Sequence, residues 1–327
     1  MMRFDWSKVD LKLGLWFAVV SFVVMNLAQF RDAAWMTAGL SALLAWLPLL
    51  LTQHRHVPSG IAAILVYLVA GCILSFIGHA SLSSEVARVL IVGVISFVAV
   101  LTLRFGTFCY LVGYVLVFWY VLSPLFSANL GLYNTIEGHL VGCLGILIFW
   151  ILQGRWVDGY SWDRDWPVEE RTPFGIVLPY AGILSATMMI GFGVGGRILS
   201  SDPTIMAQAS LNIISPSGEQ TWQAGIGRMI FGAGGAIVGF YIGLLFPGLI
   251  AYELVIAVCS FVALAFLWVN IGFLVGAFAI MFTYPIGAVG EAGHAIGNEK
   301  LLAEFLGIFL AVIAIWAIGR RLAKTAA

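Results

Sequence analysis

The apolar residues of this 327-residue chain fall into about twelve segments, most of them of membrane-crossing length. A helix needs about 20 predominantly apolar residues to cross the hydrocarbon core of a bilayer. Hydrophobic residues make up 61% of the chain and charged residues only 10%, which is too apolar for a soluble core. The sequence therefore predicts a protein that crosses a membrane many times. The segments are 13–29, 33–51, 61–77, 86–103, 106–126, 138–152, 174–192, 203–215, 225–246, 249–269, 271–289 and 301–318.

These segments are predicted to be helices, because their apolar runs lack the alternation of barrel strands. Lys and Arg set the orientation, since cytoplasmic loops carry an excess of them. Three face the side opposite the N-terminus, namely Arg31, Arg197 and Lys300. The side shared with the N-terminus carries Arg3, Lys8, Lys12, Arg55, Arg104, Arg155, Arg164, Arg171, Arg320, Arg321 and Lys324. Both termini are therefore expected in the cytoplasm.

The chain also shows an internal repeat. Residues 95–103, ISFVAVLTL, resemble residues 259–267, CSFVALAFL, at an offset of 164. Gly142 matches Gly307, and Asp32 matches Asp202, at similar offsets. Six spans per half bring both copies in from the same side, which makes a parallel repeat. We expect two six-helix transmembrane repeats, joined by a polar cytoplasmic linker; the three parts are 1–153, 174–327 and, for the linker, 154–173.

Several function classes are disfavoured by the motifs that are missing. The sequence has no GxxxxGK[ST] phosphate loop and only four lysines, so ATP-driven chemistry is not encoded. It has no HExxH or GxSxG motif and no CxxC pair, so we expect no enzyme activity, cofactor or metal. A net charge of zero argues against a nucleic-acid partner.

The eighth segment, 203–215, is too short to cross, at roughly 20 Å for 1.5 Å per residue. Ser-Pro-Ser-Gly follows it from residue 215 and should break a helix. Short or Pro-interrupted spans are the best sequence indication of a transporter's binding site. We expect the polar stripe on this segment to bind substrate; the alternative is hydrogen bonding between helices. The stripe consists of Thr204, Gln208, Asn212 and Ser215.

Three charged residues within the second half are further candidates. Arg228, near the cytoplasmic end of the ninth segment, either binds an anionic substrate or extends its head to the interface. Glu253 and Glu304 are candidates for proton coupling, because carboxylates inside membrane helices are rare and often relay protons. For Glu304 an ion pair with Lys300, four residues earlier, is the alternative.

The glycines that follow Arg228 have a simpler interpretation. Gly235, Gly239 and Gly243 recur every four residues and so lie on one side of a helix. Such a ridge of small residues lets a neighbouring helix approach closely. We expect these glycines to serve helix packing.

The eighth and ninth segments contain IMAQASLNIISP at 205–216, QAGIGR at 223–228 and the glycine-rich run that follows. In these three stretches the chain resembles the fusaric acid resistance protein-like family. That family includes bacterial aromatic acid exporters and, more distantly, the plant aluminium-activated malate channels. Two departures are evident: Gly232 lies four residues after Arg228 instead of three, and Ala233 stands where Thr or Ser is usual. The resemblance implies export of small organic anions, often aromatic carboxylates.

We expect a proton-coupled exporter of small, aromatic organic acids in a bacterial inner membrane. A passive organic-anion channel is the nearest alternative, and a non-transporting scaffold subunit is the third. The expected partners are the organic anion and the lipid bilayer. A periplasmic adaptor protein and further copies of the chain are partners left open.

Overall fold

The computed structural model describes residues 6–30, 35–157, 159–163, 165–167, 169, 171–198, 228–266, 269–270 and 272–288, with scattered positions between 302 and 316. These residues are overwhelmingly helical, and no strand occurs among them. The predicted all-α class is therefore confirmed for this part of the chain.

Ten α-helices are described, together with 3-10 turns at Trp6–Lys8 and Thr102–Phe105 and a π-helical turn at Arg228–Gly232. The helices are α1 (Leu11–Phe30), α2 (Trp35–Leu51), α3 (Val57–Ala80), α4 (Glu85–Leu101), α5 (Thr107–Leu130), α6 (Leu132–Trp156), α7 (Phe174–Ile198), α8 (Ala233–Leu245), α9 (Leu249–Ala265) and α10 (Gly272–Ala288).

Five helical segments among the described residues are long and apolar enough to cross a membrane. They are Val57–Ala80, Glu85–Phe105, Thr107–Ala128, Leu132–Trp156 and Phe174–Gly195. Five shorter apolar helices occur elsewhere, and every described helix overlaps one of the predicted segments. Segment 203–215 lies outside the described residues, as does half of 301–318. The count of twelve spans therefore stays a prediction.

The chain divides into two compact units. We call Val23–Met189 the central unit, and Met1–Phe22 with Ile190–Ala327 the terminal unit. The central unit contains α2 to α6 and most of α7, whereas the terminal unit contains the start of α1 with α8, α9 and α10. The predicted repeats 1–153 and 174–327 stay a prediction.

In the central unit α2 packs on α6, and α3 packs on both α5 and α6. Helix α3 shows which side of an apolar helix packs against its neighbours. Its outer face carries large apolar side chains, namely Leu65, Val66, Val69, Ile73 and Phe76. Its buried face consists mostly of small and polar residues, with Val57 and Ile64 as the apolar exceptions; the others are Ser59, Gly60, Ala63, Tyr67, Gly71, Ser75 and Gly78. Small and polar residues at the interface are typical of helix packing in lipid, where burying apolar surface between helices gains little.

The predicted linker 154–173 packs against the end of the central unit where α3 begins. Val57 donates its backbone N–H to Ser161 O at 2.8 Å, and Ser161 N–H donates to Arg55 O at 2.9 Å. His56 donates Nε2–H to Asp163 O at 2.8 Å. The linker is therefore held by hydrogen bonds to the residues at and just before the N-terminus of α3.

The same linker also reaches the start of α5. The Glu169 carboxylate accepts the Phe108 N–H, with both oxygens at 3.3 Å. The first amides of a helix lack partners within it and favour a negative charge, so this contact caps α5. Close by, the Arg104 guanidinium lies 3.9 Å over the ring of Phe174, the first residue of α7.

In the terminal unit α8 packs closely on α10 through the predicted glycine ridge. A Cβ atom on Gly235 would collide with the Gly276 carbonyl, and one on Gly239 would lie 2.5 Å from the Ile280 carbonyl. The packing role predicted for these two glycines is therefore confirmed.

Helix α1 begins against the end of α9 in the same unit. Asp10 donates its N–H to Ala265 O at 2.9 Å, and its carboxylate accepts the Leu13 N–H at 2.9 Å as an N-cap. A Cβ atom on Gly14 would lie 2.7 Å from Phe261 O. Two backbones thus approach closely at this junction.

Candidate functional site

The residues predicted to bind substrate are mostly not described. Thr204, Gln208, Asn212 and Ser215 lie outside the described residues, as does Glu304. These predictions therefore stay predictions.

Two further predicted residues lie on described helices. Arg228 begins the π-helical turn that leads into α8, and its side chain lies outside the described part of the structure. Glu253 lies on α9, is partly exposed and interacts with a neighbour.

The most unusual polar group of the central unit is the imidazole of His139. His139 lies seven residues into α6, about 10 Å along the helix axis, and its exposed fraction is 0%. Burying an ionisable side chain among membrane-crossing helices is costly, and such residues commonly mark ion, proton or substrate pathways. We therefore take the surroundings of His139 as the candidate functional site.

The ring nitrogens of His139 have partners on two other helices. Nε2 lies 3.2 Å from Leu68 O and 3.3 Å from Tyr67 O, both on α3. Nδ1 lies 3.0 Å from Ser41 Oγ on α2. A carbonyl can only accept, so Nε2 carries a hydrogen; in the neutral ring Nδ1 then accepts from the Ser41 hydroxyl. His139 thereby joins α2, α3 and α6.

Aromatic rings enclose the imidazole on its other sides. The ring of Trp119 on α5 stacks on it with centroids 4.4 Å apart and planes inclined by 30°, and the Tyr67 ring lies 5.1 Å away. Trp119 is itself fixed, because its Nε1–H donates to Ser75 Oγ at 2.9 Å and to Gly71 O at 3.1 Å. A tryptophan face stabilises a nearby cation, so this environment also suits a protonated ring.

Two glycines make room for this arrangement. A Cβ atom on Gly71 would collide with His139 Nε2, so only glycine lets the ring lie against the α3 backbone. A Cβ atom on Gly142 would collide with the Ala38 carbonyl on α2. The close approach of α2 and α3 to α6 therefore depends on residues without side chains.

Two hydroxyls in the same core are buried without a hydrogen-bond partner among the described residues. They are Tyr67 Oη, on a residue 1% exposed, and Thr37 Oγ1, on a residue 0% exposed and one helical turn before Ser41. A buried polar group that lacks a partner costs about 1–3 kcal/mol, so such groups call for an explanation. Both can donate and accept a proton.

Within the described ranges, no group of three His, Cys, Asp or Glu side chains is arranged to hold a metal ion. The sulfur nearest the imidazole is Cys143 Sγ, 3.7 Å from Nε2. Cys143 lies one helical turn after His139 on the same helix and is a free thiol.

Two other histidines, His54 and His56, lie in the loop between α2 and α3, where His56 contacts the linker. His54 Nε2 lies 2.5 Å from Ser59 Oγ, and its ring stacks on Phe108 at 4.2 Å. Ser59 Oγ also lies 2.7 Å from His56 Nδ1. Burial, and then the charge of His56, lower the pKa of His54 to about 4.

Sequence reasoning did not single out His139 as a site residue. The available signal was a histidine inside an apolar segment, flanked by Gly138 and Gly142. Its partners could not be found this way, because Ser41 and Tyr67 come from other segments.

Comparison of the chain with family models, with curated proteins and with solved structures finds no match in any of the three. The fold and the site therefore define the class of protein. It is a membrane protein, helical through its described residues, whose central unit encloses a hydrogen-bonded imidazole.

Proposed function

We propose that this chain is a secondary transporter that exports small organic carboxylic acids, aromatic ones among them, in exchange for protons. The observation that carries the proposal is the buried polar core around His139, within helices long and apolar enough to cross a membrane. A subunit that served only as a scaffold would have no use for a protonatable group there. Because the sequence encodes no phosphate loop, an ion gradient is the energy source proposed.

The substrate class rests on the second half of the chain. An arginine binds a carboxylate through two parallel hydrogen bonds, which gives Arg228 its proposed role. The π-helical turn that begins at Arg228 supports this, since such turns are frequent at functional sites. The proposed path adds Thr204, Gln208, Asn212 and Ser215, and the family resemblance supplies the aromatic acids.

The finer architecture is also proposed: twelve spans in two parallel six-helix repeats with both termini in the cytoplasm. At the offset of 164, α1 corresponds to α7, and α4 corresponds to α9. The packing within each unit supports that correspondence. In the terminal unit the start of α1 lies against Ala265 at the end of α9; in the central unit Phe174 at the start of α7 lies against Arg104, just after α4.

A further contact in the central unit also places α7 against α4. Ser185 on α7 donates to Gly93 O on α4 at 2.8 Å, and a Cβ atom on Gly93 would lie 2.5 Å from Met189 Sδ. The first helix of each proposed half thus packs on the fourth helix of the other. A reciprocal exchange of this kind is what two copies related by an axis along the membrane normal would produce.

A bacterial inner membrane is the proposed location. Glu253 and Glu304 stay the carboxylates proposed for proton coupling. A periplasmic adaptor and a homo-oligomer complete the proposed partners.

Uptake into proteoliposomes tests the transport proposal. With an acidic lumen, labelled 4-hydroxybenzoate should accumulate inside vesicles that hold the full chain, as protons leave. Passive diffusion of the neutral acid would drive the opposite distribution, so empty vesicles should exclude the label. Arg228→Gln should lower the uptake at least about tenfold, the loss expected where a charged hydrogen bond is removed. Arg55→Gln, on an exposed loop, should leave it unchanged.

Two other outcomes would contradict the proposal. Flux that follows the membrane voltage and ignores the pH gradient would identify a passive anion channel. If no acid in a panel of aromatic and aliphatic carboxylates is transported, the non-transporting scaffold subunit is the hypothesis that remains.

A further inference from the structure

The hydrogen bonds around His139 fit the imidazole in both of its protonation states. In the neutral ring Nε2–H donates to the α3 carbonyls and Nδ1 accepts from Ser41. In the charged ring Nδ1–H would donate to Ser41 Oγ, and the Ser41 hydroxyl would turn to the carbonyl one turn earlier on α2, a common serine partner. Only a hydrogen atom has to move, because a hydroxyl both donates and accepts.

No permanent counter-ion holds the proton on this ring. The titratable groups that face the imidazole are Tyr67 from α3 and Cys143 from α6. Cys72 in turn interacts with Cys143. Helices α2 and α5 present Ser41 and the Trp119 ring. Within the described ranges no carboxylate, lysine or arginine contacts the imidazole, and Glu137, two residues earlier, points about 200° around α6. A proton taken up here can therefore be released again.

Two buried hydroxyls on the helices that contact the ring, Tyr67 Oη and Thr37 Oγ1, have no partner among the described residues, as is also true of further hydroxyls of the central unit. Thr37 lies one turn from Ser41, and the Tyr67 ring touches the imidazole. Groups that can donate and accept are what a proton needs on its way to and from the ring.

We propose that His139 is a proton-binding residue of the central unit, in addition to the two carboxylates proposed for proton coupling, and that the Ser41 hydroxyl reorients when the ring gains or loses its proton. The inference rests on the proposed transport, since it adds a residue of the central unit to the path of the coupled proton. His139 receives a proton at Nδ1 and returns it from the same atom, and no other bond forms or breaks.

The experiment compares two histidines changed in the same way. His139→Gln keeps an amide that can donate and accept but does not titrate, and His79→Gln makes the same change at an exposed position on α3. In the vesicles described above, the accumulation driven by the pH gradient should be at least about tenfold lower for His139→Gln than for the unchanged chain. It should retain exchange of labelled for unlabelled 4-hydroxybenzoate at equal pH, and His79→Gln should match the unchanged chain. Gradient-driven accumulation that survives in His139→Gln would overturn the inference.

Ser41→Ala keeps the inference testable where His139→Gln does not fold. Removing the acceptor for Nδ1–H should disfavour the charged ring, so the pH midpoint of transport should move about one unit lower, a tenfold change in proton affinity. A role in packing alone would leave the midpoint in place, and an unchanged midpoint would overturn the inference.

The failure of the proposed function would be recognised separately. If the unchanged chain moves no acid, ¹⁵N spectra of its histidines in bilayers still report on the ring. One reversible titration between about pH 4 and 9 that is absent from His139→Gln would support the inference, and its absence from the unchanged chain would overturn it.

Discussion

Lipid makes an unsatisfied polar group expensive, and His139 meets this constraint with partners from three neighbouring helices. Its nitrogens bond to α2 and α3, and its face lies on Trp119 of α5. The hydroxyls of Tyr67 and Thr37, in the same core, lack such partners among the described residues. Each of these two hydroxyls therefore costs about 1–3 kcal/mol.

In the loop between α2 and α3, His54 predicts a pH dependence of local stability. The pKa of His54 is near 4 in the folded chain and 6.5 ordinarily, so the folded state binds fewer protons between those values. The loop should be most stable above about pH 6.5, and it should lose stability as the pH falls towards 4. Hydrogen exchange at the Ser161 amide, which bonds to Arg55 O, measures this.

The matched variants separate His54 from the other histidines. His54→Gln should flatten the pH dependence between about 6.5 and 4, because its side chain does not titrate. His79→Gln, at the exposed end of α3, should retain it. Equal pH dependence in His54→Gln and the unchanged chain would show that another group is responsible.

The helices are apolar on all sides, so small residues rather than an apolar stripe decide which faces meet. On α3 the glycines and serines are buried, while Leu65, Val66, Val69, Ile73 and Phe76 face outward. The same rule operates between α8 and α10, where glycines of both helices come into contact. Helices in lipid pack where their backbones can approach.

Neighbouring glycines on α8 test this rule. Gly235→Ala should destabilise the protein by about 1–3 kcal/mol, because its Cβ atom collides with the Gly276 backbone on α10. Gly234→Ala should be neutral or stabilise by up to about 1 kcal/mol, since nothing lies within 4 Å and alanine favours helix. Unfolding of the purified protein in mixed micelles measures both; equal effects would contradict the packing assignment.

At the scale of the whole chain, α1 and α7 are the helices whose positions make the two units differ from the two proposed repeats. Helix α1 begins in the unit that contains α9, and α7 begins in the unit that contains α4. The linker 154–173 lies between α6 and α7 and packs on the end of the central unit where α3 begins. Arg55, Arg104 and Arg155 belong to that same end, which is the end expected in the cytoplasm.

Thiol labelling tests this orientation in a chain whose four native cysteines are replaced. A membrane-impermeant reagent applied to intact cells should label Ser83→Cys, in the exposed turn between α3 and α4. It should not label Asp165→Cys in the exposed linker until the cells are opened. The reverse pattern would contradict the orientation, and the two positions serve as controls for each other.

Much of the architecture follows from the sequence alone. Apolar segments of membrane-crossing length exclude a soluble fold and require helices, because lipid offers no partner to an open backbone. The positions of the described helices and the packing role of Gly235 and Gly239 were also predictable from the sequence. Each of these features depends on residues that are near one another in the chain.

Only the tertiary structure decided which polar groups meet. Ser41, Tyr67 and Trp119 come from three separate helices, and each looks like an ordinary residue of an apolar segment. They surround His139 because glycines at 71 and 142 let α2 and α3 approach α6. Hydropathy and spacing describe one helix at a time, whereas a hydrogen-bonded core depends on how several helices are rotated against one another.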